Sequence, residues 1–128
     1  MSEVRRVRGT AARLSGRRAE WTAALYLMAK GYRILGFRLK TAHGEIDLVA
    51  LRGRTLAVVE VKSRLTLEAA LEAVSFTQRE RLRRAGRSIA DRRRGLSGAF
   101  VRLDLIALAP RQWPRHIADA WSFDELGS

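Results

Sequence analysis

Two neighbouring stretches decide the fold: GEIDLVAL, Gly44 to Leu51, and TLAVVEVK, Thr55 to Lys62. Both are rich in β-branched residues and nearly continuous in apolar character. That pattern predicts strands covered on both faces of a sheet. Between them stands Arg52-Gly53-Arg54-Thr55, whose Gly-X pair suits a two-residue hairpin turn. With Gly53-Arg54 as the turn, Arg52 opposes Thr55, and counting back places Asp47 across from Glu60 and Glu45 across from Lys62. Opposed residues hold their Cβ atoms ~5 Å apart on one face. Within each strand the period of two also puts Glu45 with Asp47, and Glu60 with Lys62. Four ionisable groups therefore gather on two otherwise apolar strands.

Outward from the hairpin, helical spacing is expected from about Thr10 to Lys30, with Gly31 as a stop. Tyr32 to Leu39 reads as a strand interrupted by Gly36. Leu67 to Val74 and Phe76 to about Arg93 read as helix, broken near Ser75. Leu82, Ala85, Gly86, Ile89 and Ala90 form the buried stripe of the second piece. Phe100 to Ala109 is a further strand, the two prolines Pro110 and Pro114 mark a loop, and His116 to Trp121 gives a short edge strand. This order of elements predicts an α/β fold, a central mixed β-sheet flanked by α-helices. The chain of 128 residues suits one domain over residues 9–128, preceded by a basic tail at 1–8.

Two facing carboxylates repel each other and are costly to bury unpaired. A hard cation resolves that conflict, since Mg²⁺ is bound through one or two carboxylates while water and phosphate oxygens complete its shell. An ammonium two residues beyond Glu60 can hold the attacking water or offset charge on a phosphorane. Of the 25 basic residues only Lys30, Lys40 and Lys62 are lysine, so a lysine at this point is itself informative. The plainer account makes Glu45–Lys62 an ordinary cross-strand ion pair, with Asp47 and Glu60 at exposed strand ends. A third carboxylate, Glu20, shares a helix face with Ala23, Ala24 and Leu27, a face expected to turn inward. Taken alone, a helix-edge glutamate more commonly pairs with an arginine such as Arg13 or Arg17.

The segments Gly16-Arg-Arg-Ala19-Glu20-Trp-Thr-Ala23, Gly44-Glu45-Ile46-Asp47-Leu48 and Val59-Glu60-Val61-Lys62-Ser63-Arg64 resemble the YraN-like family. The likeness continues through Arg102-Leu103-Asp104 to His116-Ile117-Ala118-Asp119-Ala120 and covers about residues 9–121. That family in turn resembles the PD-(D/E)xK nucleases, Holliday-junction resolvases most closely. The resemblance implies a restriction-endonuclease-like core and a metal-dependent endonuclease acting on structured or branched DNA. It implies Asp47 and Glu60 as carboxylates for Mg²⁺ or Mn²⁺, Lys62 as the catalytic lysine, and Glu20 as a helix-borne acid that helps position metal or water. Junction-cutting relatives also suggest a homodimer. Two departures stand out. Ala19 replaces a usual glycine, and Gln78 replaces a common lysine, which keeps alive a non-catalytic nucleic-acid-binding module on the same fold.

The formal net charge of +12 points to a polyanionic partner, nucleic acid first, with DNA expected over RNA. Arg79, Arg83 and Arg87 recur every four residues and could track phosphates beside Gln78, although a charge run is also what a solvated helix face shows. Arg64 is the basic residue expected nearest the scissile phosphate. Aromatics are only 7% and nowhere concentrated, so no single-strand stacking platform is visible. Trp21 and Trp121 read as packing residues, and Asp104 as a structural partner of Arg102. His43 and His116 lie far apart without ligand spacing, which argues against a zinc site. Cysteine is absent, so disulfides and a thiol nucleophile are excluded. Without a secretory or membrane-spanning pattern, a cytoplasmic protein is expected. A protein–protein adaptor docking through the arginine-rich helix is the weaker third reading.

Overall fold

A computed structural model describes residues 17–122. The expected tail at 1–8 and the start of the first helix lie outside them. Helix α1 runs over 17–29 and ends at Gly31, whose φ of +92° carries the chain through the left-handed region. Then follow β1 (Arg33–Thr41), β2 (Gly44–Arg52), β3 (Thr55–Ser63), α2 (Leu67–Glu72), α3 (Phe76–Arg92), β4 (Phe100–Leu108) and β5 (Arg115–Ile117). The edge strand is shorter than expected, because the chain turns over 118–121.

The five strands form one mixed sheet in sequential order. Strands β1, β2 and β3 are antiparallel neighbours, β3 and β4 pair in parallel, and β5 closes the edge antiparallel to β4. Parallel pairing requires a long crossover, which α2 and α3 supply. The whole is a restriction-endonuclease-compatible α/β arrangement, a five-stranded mixed sheet flanked by helices.

Both faces of the sheet are apolar, as the near-continuous runs in β2 and β3 require. On one face Leu48, Ala50, Ala57, Val59 and Ile106 pack under Ala23, Ala24 and Leu27 of α1. On the other, Val49, Leu56, Val58, Leu103 and Leu105 pack under Leu82, Ala85 and Ala90 of α3 and Ala70 of α2. Ser75 caps α3 by accepting from the Gln78 N–H at 3.1 Å, and Thr66 caps α2 by accepting from the Ala69 N–H at 3.1 Å. Such caps contribute about 1 kcal/mol each. Gly86 sets how closely α3 approaches: a Cβ there would lie 2.4 Å from Val58 Cγ2 and 2.8 Å from Val101 Cγ1. Trp121 is buried and donates its indole N–H to the Leu71 carbonyl at 3.1 Å, tying the chain's end to α2.

Candidate active site

The hairpin register is as expected from Arg52↔Thr55 to Leu48↔Val59, and there it stops. Asp47 and Glu60 are not backbone partners. Hydrogen-bonded pairs alternate in an antiparallel ladder, so continued pairing would hand the Val61 N–H to the Ile46 carbonyl. Instead that N–H donates to Asp47 Oδ2 at 3.0 Å. The side-chain alternation of β2 shifts at the same place, since Ile46 packs with Val49 under α3 while Leu48 packs under α1. Asp47 thus sits where two central strands part, and its carboxylate crosses the gap that the ladder leaves.

The crossing brings Asp47 against Glu60. Glu60 is 2% exposed and shares its sheet face with Leu56 and Val58. Burial, and after it the negative charge of Asp47, push the Glu60 carboxyl up to about 8, with Lys62 acting in the opposite direction. Lys62 Nζ lies 3.8 Å from Glu60 Oε2. Lys62 therefore faces Glu60 along its own strand rather than Glu45 across the hairpin, whose backbone partner is Lys40. Glu60 Oε1 is buried and has no hydrogen-bond partner. Most buried polar atoms are paired, and an orphaned carboxylate oxygen beside a second carboxylate is costly. Two hard oxygen donors, one with free lone pairs, fit Mg²⁺ or Mn²⁺ and would suit a soft metal poorly.

Glu20 stands apart from this pair. Both of its oxygens accept from Arg38 Nε at 3.0 Å. Arg38 lies between Phe37 and Leu39, whose partners Leu48 and Ile46 flank Asp47. Glu20 is thus tied to the strand beside the one that carries Asp47, from a helix on the sheet face opposite that of Glu60. Arg38 has a φ of +49°, rare for a side-chain-bearing residue and common near functional sites. Nothing in its spacing singled it out, because a positive φ has no sequence signal outside Gly, Asn and Asp. Among the described residues no three His, Asp or Glu side chains converge as a metal-binding group.

Gln78, on the first turn of α3, lines a cavity of about 350 Å³ with His43, Glu45 and Arg81. The arginine row is largely engaged within the chain. Arg79 places its guanidinium 5.6 Å from the rings of both Phe76 and Trp121, and Arg83 reaches Glu80 at 3.5 Å. Arg87 donates to Asp91, to the Ser97 carbonyl at 2.7 Å and to the Ala99 carbonyl at 2.9 Å. The arginines of α3 that face solvent in its middle are Arg81 and Arg84. Arg64 is exposed just past β3 and donates to the Ser63 carbonyl at 2.8 Å.

A second polar cluster occupies the opposite face, on β4. Asp104 is 0% exposed. Its Oδ1 accepts from Arg102 Nε at 2.8 Å and from the Asp119 N–H at 3.0 Å, and its Oδ2 from Arg102 and His116 at 2.8 Å each. Burial alone would raise its pKa, yet His116 and Arg102 together hold the carboxyl below the ordinary range. Lys30 Nζ lies 2.6 Å from His116 Nδ1. An ammonium can only donate, so Nδ1 accepts and Nε2 carries the proton given to Asp104. Asp104 pairs with Arg102, as their shared strand face suggested, and His116 is a further partner, which spacing along the chain could not reveal.

Fold and site together define a mixed-sheet α/β protein with two carboxylates and a lysine gathered where its central strands separate. The chain belongs to the uncharacterised protein family UPF0102, whose family model matches residues 19–108. This is the family of the YraN-like resemblance. The chain is 70% identical over 117 residues to the UPF0102 protein of Caulobacter sp. (strain K31), covering 91% of this chain and 84% of that protein. It is 68% identical over 118 residues to the UPF0102 protein of Caulobacter vibrioides (strain NA1000 / CB15N), covering 92% and 94%. The UPF0102 protein of Parvibaculum lavamentivorans is 50% identical over 113 residues, covering 88% and 85%. Among the described residues no helix is long and apolar enough to cross a membrane.

Proposed function

We propose that the protein is a metal-dependent endonuclease that hydrolyses phosphodiester bonds in structured or branched DNA. The observation that carries this is Glu60 Oε1, buried, without a partner, and set against the Asp47 carboxylate. Asp47 and Glu60 would hold Mg²⁺ or Mn²⁺, which when bound supplies neutralising charge and lowers the pKa of attacking water. The Val61 N–H fixes the orientation of Asp47. Lys62, close to Glu60, orients the water and offsets charge as the water oxygen bonds to phosphorus and the phosphorus–sugar oxygen bond breaks. Glu20 enters as the helix-borne acid held by Arg38 in the free protein: a phosphate that draws Arg38 to itself would release Glu20 to help position metal or water. Arg64, Gln78 and Arg81 line the approach, and the net charge of +12 supports a polyanionic substrate. An exposed row of Trp21, Leu25 and Met28 along α1 supports a homodimer through that helix.

Cleavage of labelled four-way junction, flap, duplex and single-stranded DNA, run in Mg²⁺, Mn²⁺ and EDTA, tests the proposal. Metal-dependent cutting is expected, abolished in Lys62→Ala while binding changes by no more than about threefold. Equal loss of cutting and binding in that variant would sink the role of Lys62. Gln78, uncharged at the mouth of the cavity, favours a second reading in which the fold binds nucleic acid without cutting it. That reading expects salt-sensitive binding, no products in either metal, and no rise in Tm on adding Mn²⁺.

A further inference from the structure

The two most exposed large apolar side chains of the described residues are Trp113, at 87%, and Leu65, at 80%. They are remote in sequence yet line one cavity of about 230 Å³, together with Arg64, Gln112, Arg115 and Glu68. Parallel pairing of β3 with β4 explains the meeting, since it sets the C-terminal ends of both strands side by side, Ser63 opposite Leu108. The Arg64 N–H then donates to the Leu108 carbonyl at 3.0 Å and locks the two exits together. Pro110 and Pro114 bracket the segment that carries Trp113, and Gln112 N–H turns back onto the Ala109 carbonyl at 3.3 Å. Prolines remove freedom the loop would otherwise lose on binding.

Scattered exposed apolar residues are ordinary, but two that line one cavity with two arginines and a single glutamate suit a ligand that is flat and apolar in one part and anionic in another. An unstacked base on its phosphate backbone has that chemistry. A paired duplex does not, because its base faces are already covered. The platform starts just past the end of β3 at Ser63, which is three residues from Glu60, or about 10 Å of strand, the length of ~3 nucleotides of stacked chain.

We infer that Trp113 and Leu65, with Arg64 and Arg115, form a stacking site for an unpaired base of the nucleic-acid strand presented to Asp47, Glu60 and Lys62. The inference rests on the nucleic-acid reading above and narrows its substrate to DNA carrying an unpaired segment a few nucleotides from the cut. It also revises the expectation that no stacking platform exists. The two residues are separated in sequence, so only the fold unites them.

The test is binding of the full chain, in EDTA, to a labelled paired duplex and to the same duplex with a short single-stranded tail. Stacking on one aromatic residue is worth about 10- to 100-fold in affinity. Wild type is expected to prefer the tailed duplex by about tenfold or more. Trp113→Ala should lose that preference and keep its affinity for the paired duplex, whereas Trp113→Phe should keep most of it. Because Trp113 is exposed, both variants should melt as wild type does. Equal affinity of Trp113→Ala and wild type for the tailed duplex overturns the inference, even where cutting in Mg²⁺ is intact. A Trp113-dependent preference without cutting upholds it and fails the nuclease instead. No binding of either DNA at low salt overturns both.

Discussion

Asp104 and Glu60 are the two buried acids among the described residues, and they occupy adjacent parallel strands. One faces α1 and the other α3. Asp104 has both oxygens paired, to Arg102, His116 and the Asp119 N–H, and is held as a carboxylate. Glu60 has an oxygen without a partner, a second acid against it, and a carboxyl pushed up to about 8. Burial is the same for both. What differs is satisfaction: one acid finds every partner within the chain, and the other has a buried oxygen that the chain leaves unpaired.

The largest effect should come from the satisfied acid. Asp104→Ala leaves Arg102 and His116 without their buried partner, and urea unfolding should show a loss of about 3–5 kcal/mol. The pH dependence shares this origin. A carboxyl held low contributes stability that is present above its unfolded pKa and lost as pH falls through the folded value. Acid unfolding of wild type should therefore steepen below the ordinary carboxylate range, and Asp104→Ala should lack that limb. A variant as stable as wild type would erase the contrast between the two acids.

Glu60 predicts the opposite sign. Its folded pKa is raised, so its contribution is fully present below the unfolded pKa and is lost as pH rises toward about 8. In EDTA wild type should lose stability across that interval, and Glu60→Gln should flatten the decline. At pH 8 the variant should be more stable by about 1–3 kcal/mol, the usual cost of an unsatisfied buried group. Mn²⁺ should raise the Tm of wild type at that pH and leave that of Glu60→Gln unchanged. A Glu60→Gln protein destabilised at every pH would place Glu60 in the same class as Asp104.

The strands that frame this contrast are legible in the sequence. The apolar runs around GEID and VEVK set two central strands, and the Gly53-Arg54 turn set their register as far as Leu48↔Val59. The break at Asp47 was not legible, because it arises from a carboxylate competing successfully with a backbone carbonyl for the Val61 N–H. Nor could spacing along α3 show that Arg87 is engaged with the 97–99 loop, since its two acceptors there are carbonyls, which every residue has. Density of aromatics along the chain carries no information about two strand ends that a parallel pairing brings together.

Glu20 stands between the two classes, and it carries the smallest stability effect. Its side chain is 13% exposed and Arg38 is 35% exposed, so the pair is partly solvated and worth less than about 1 kcal/mol. Glu20→Gln should therefore shift the urea midpoint little. If Glu20 were a resident ligand, the substitution would also reduce the Tm gained on adding Mn²⁺ without DNA. The Arg38 pairing argues otherwise: with both oxygens committed, Glu20 is satisfied until a phosphate competes for the guanidinium. The expected outcome is an unchanged Mn²⁺ response beside cleavage lowered about 100-fold, the scale of one acid–base group. Loss of the metal response would put Glu20 with Asp47 and Glu60 in the free protein. Unchanged cleavage would put it with Asp104, an acid whose partner is its whole purpose.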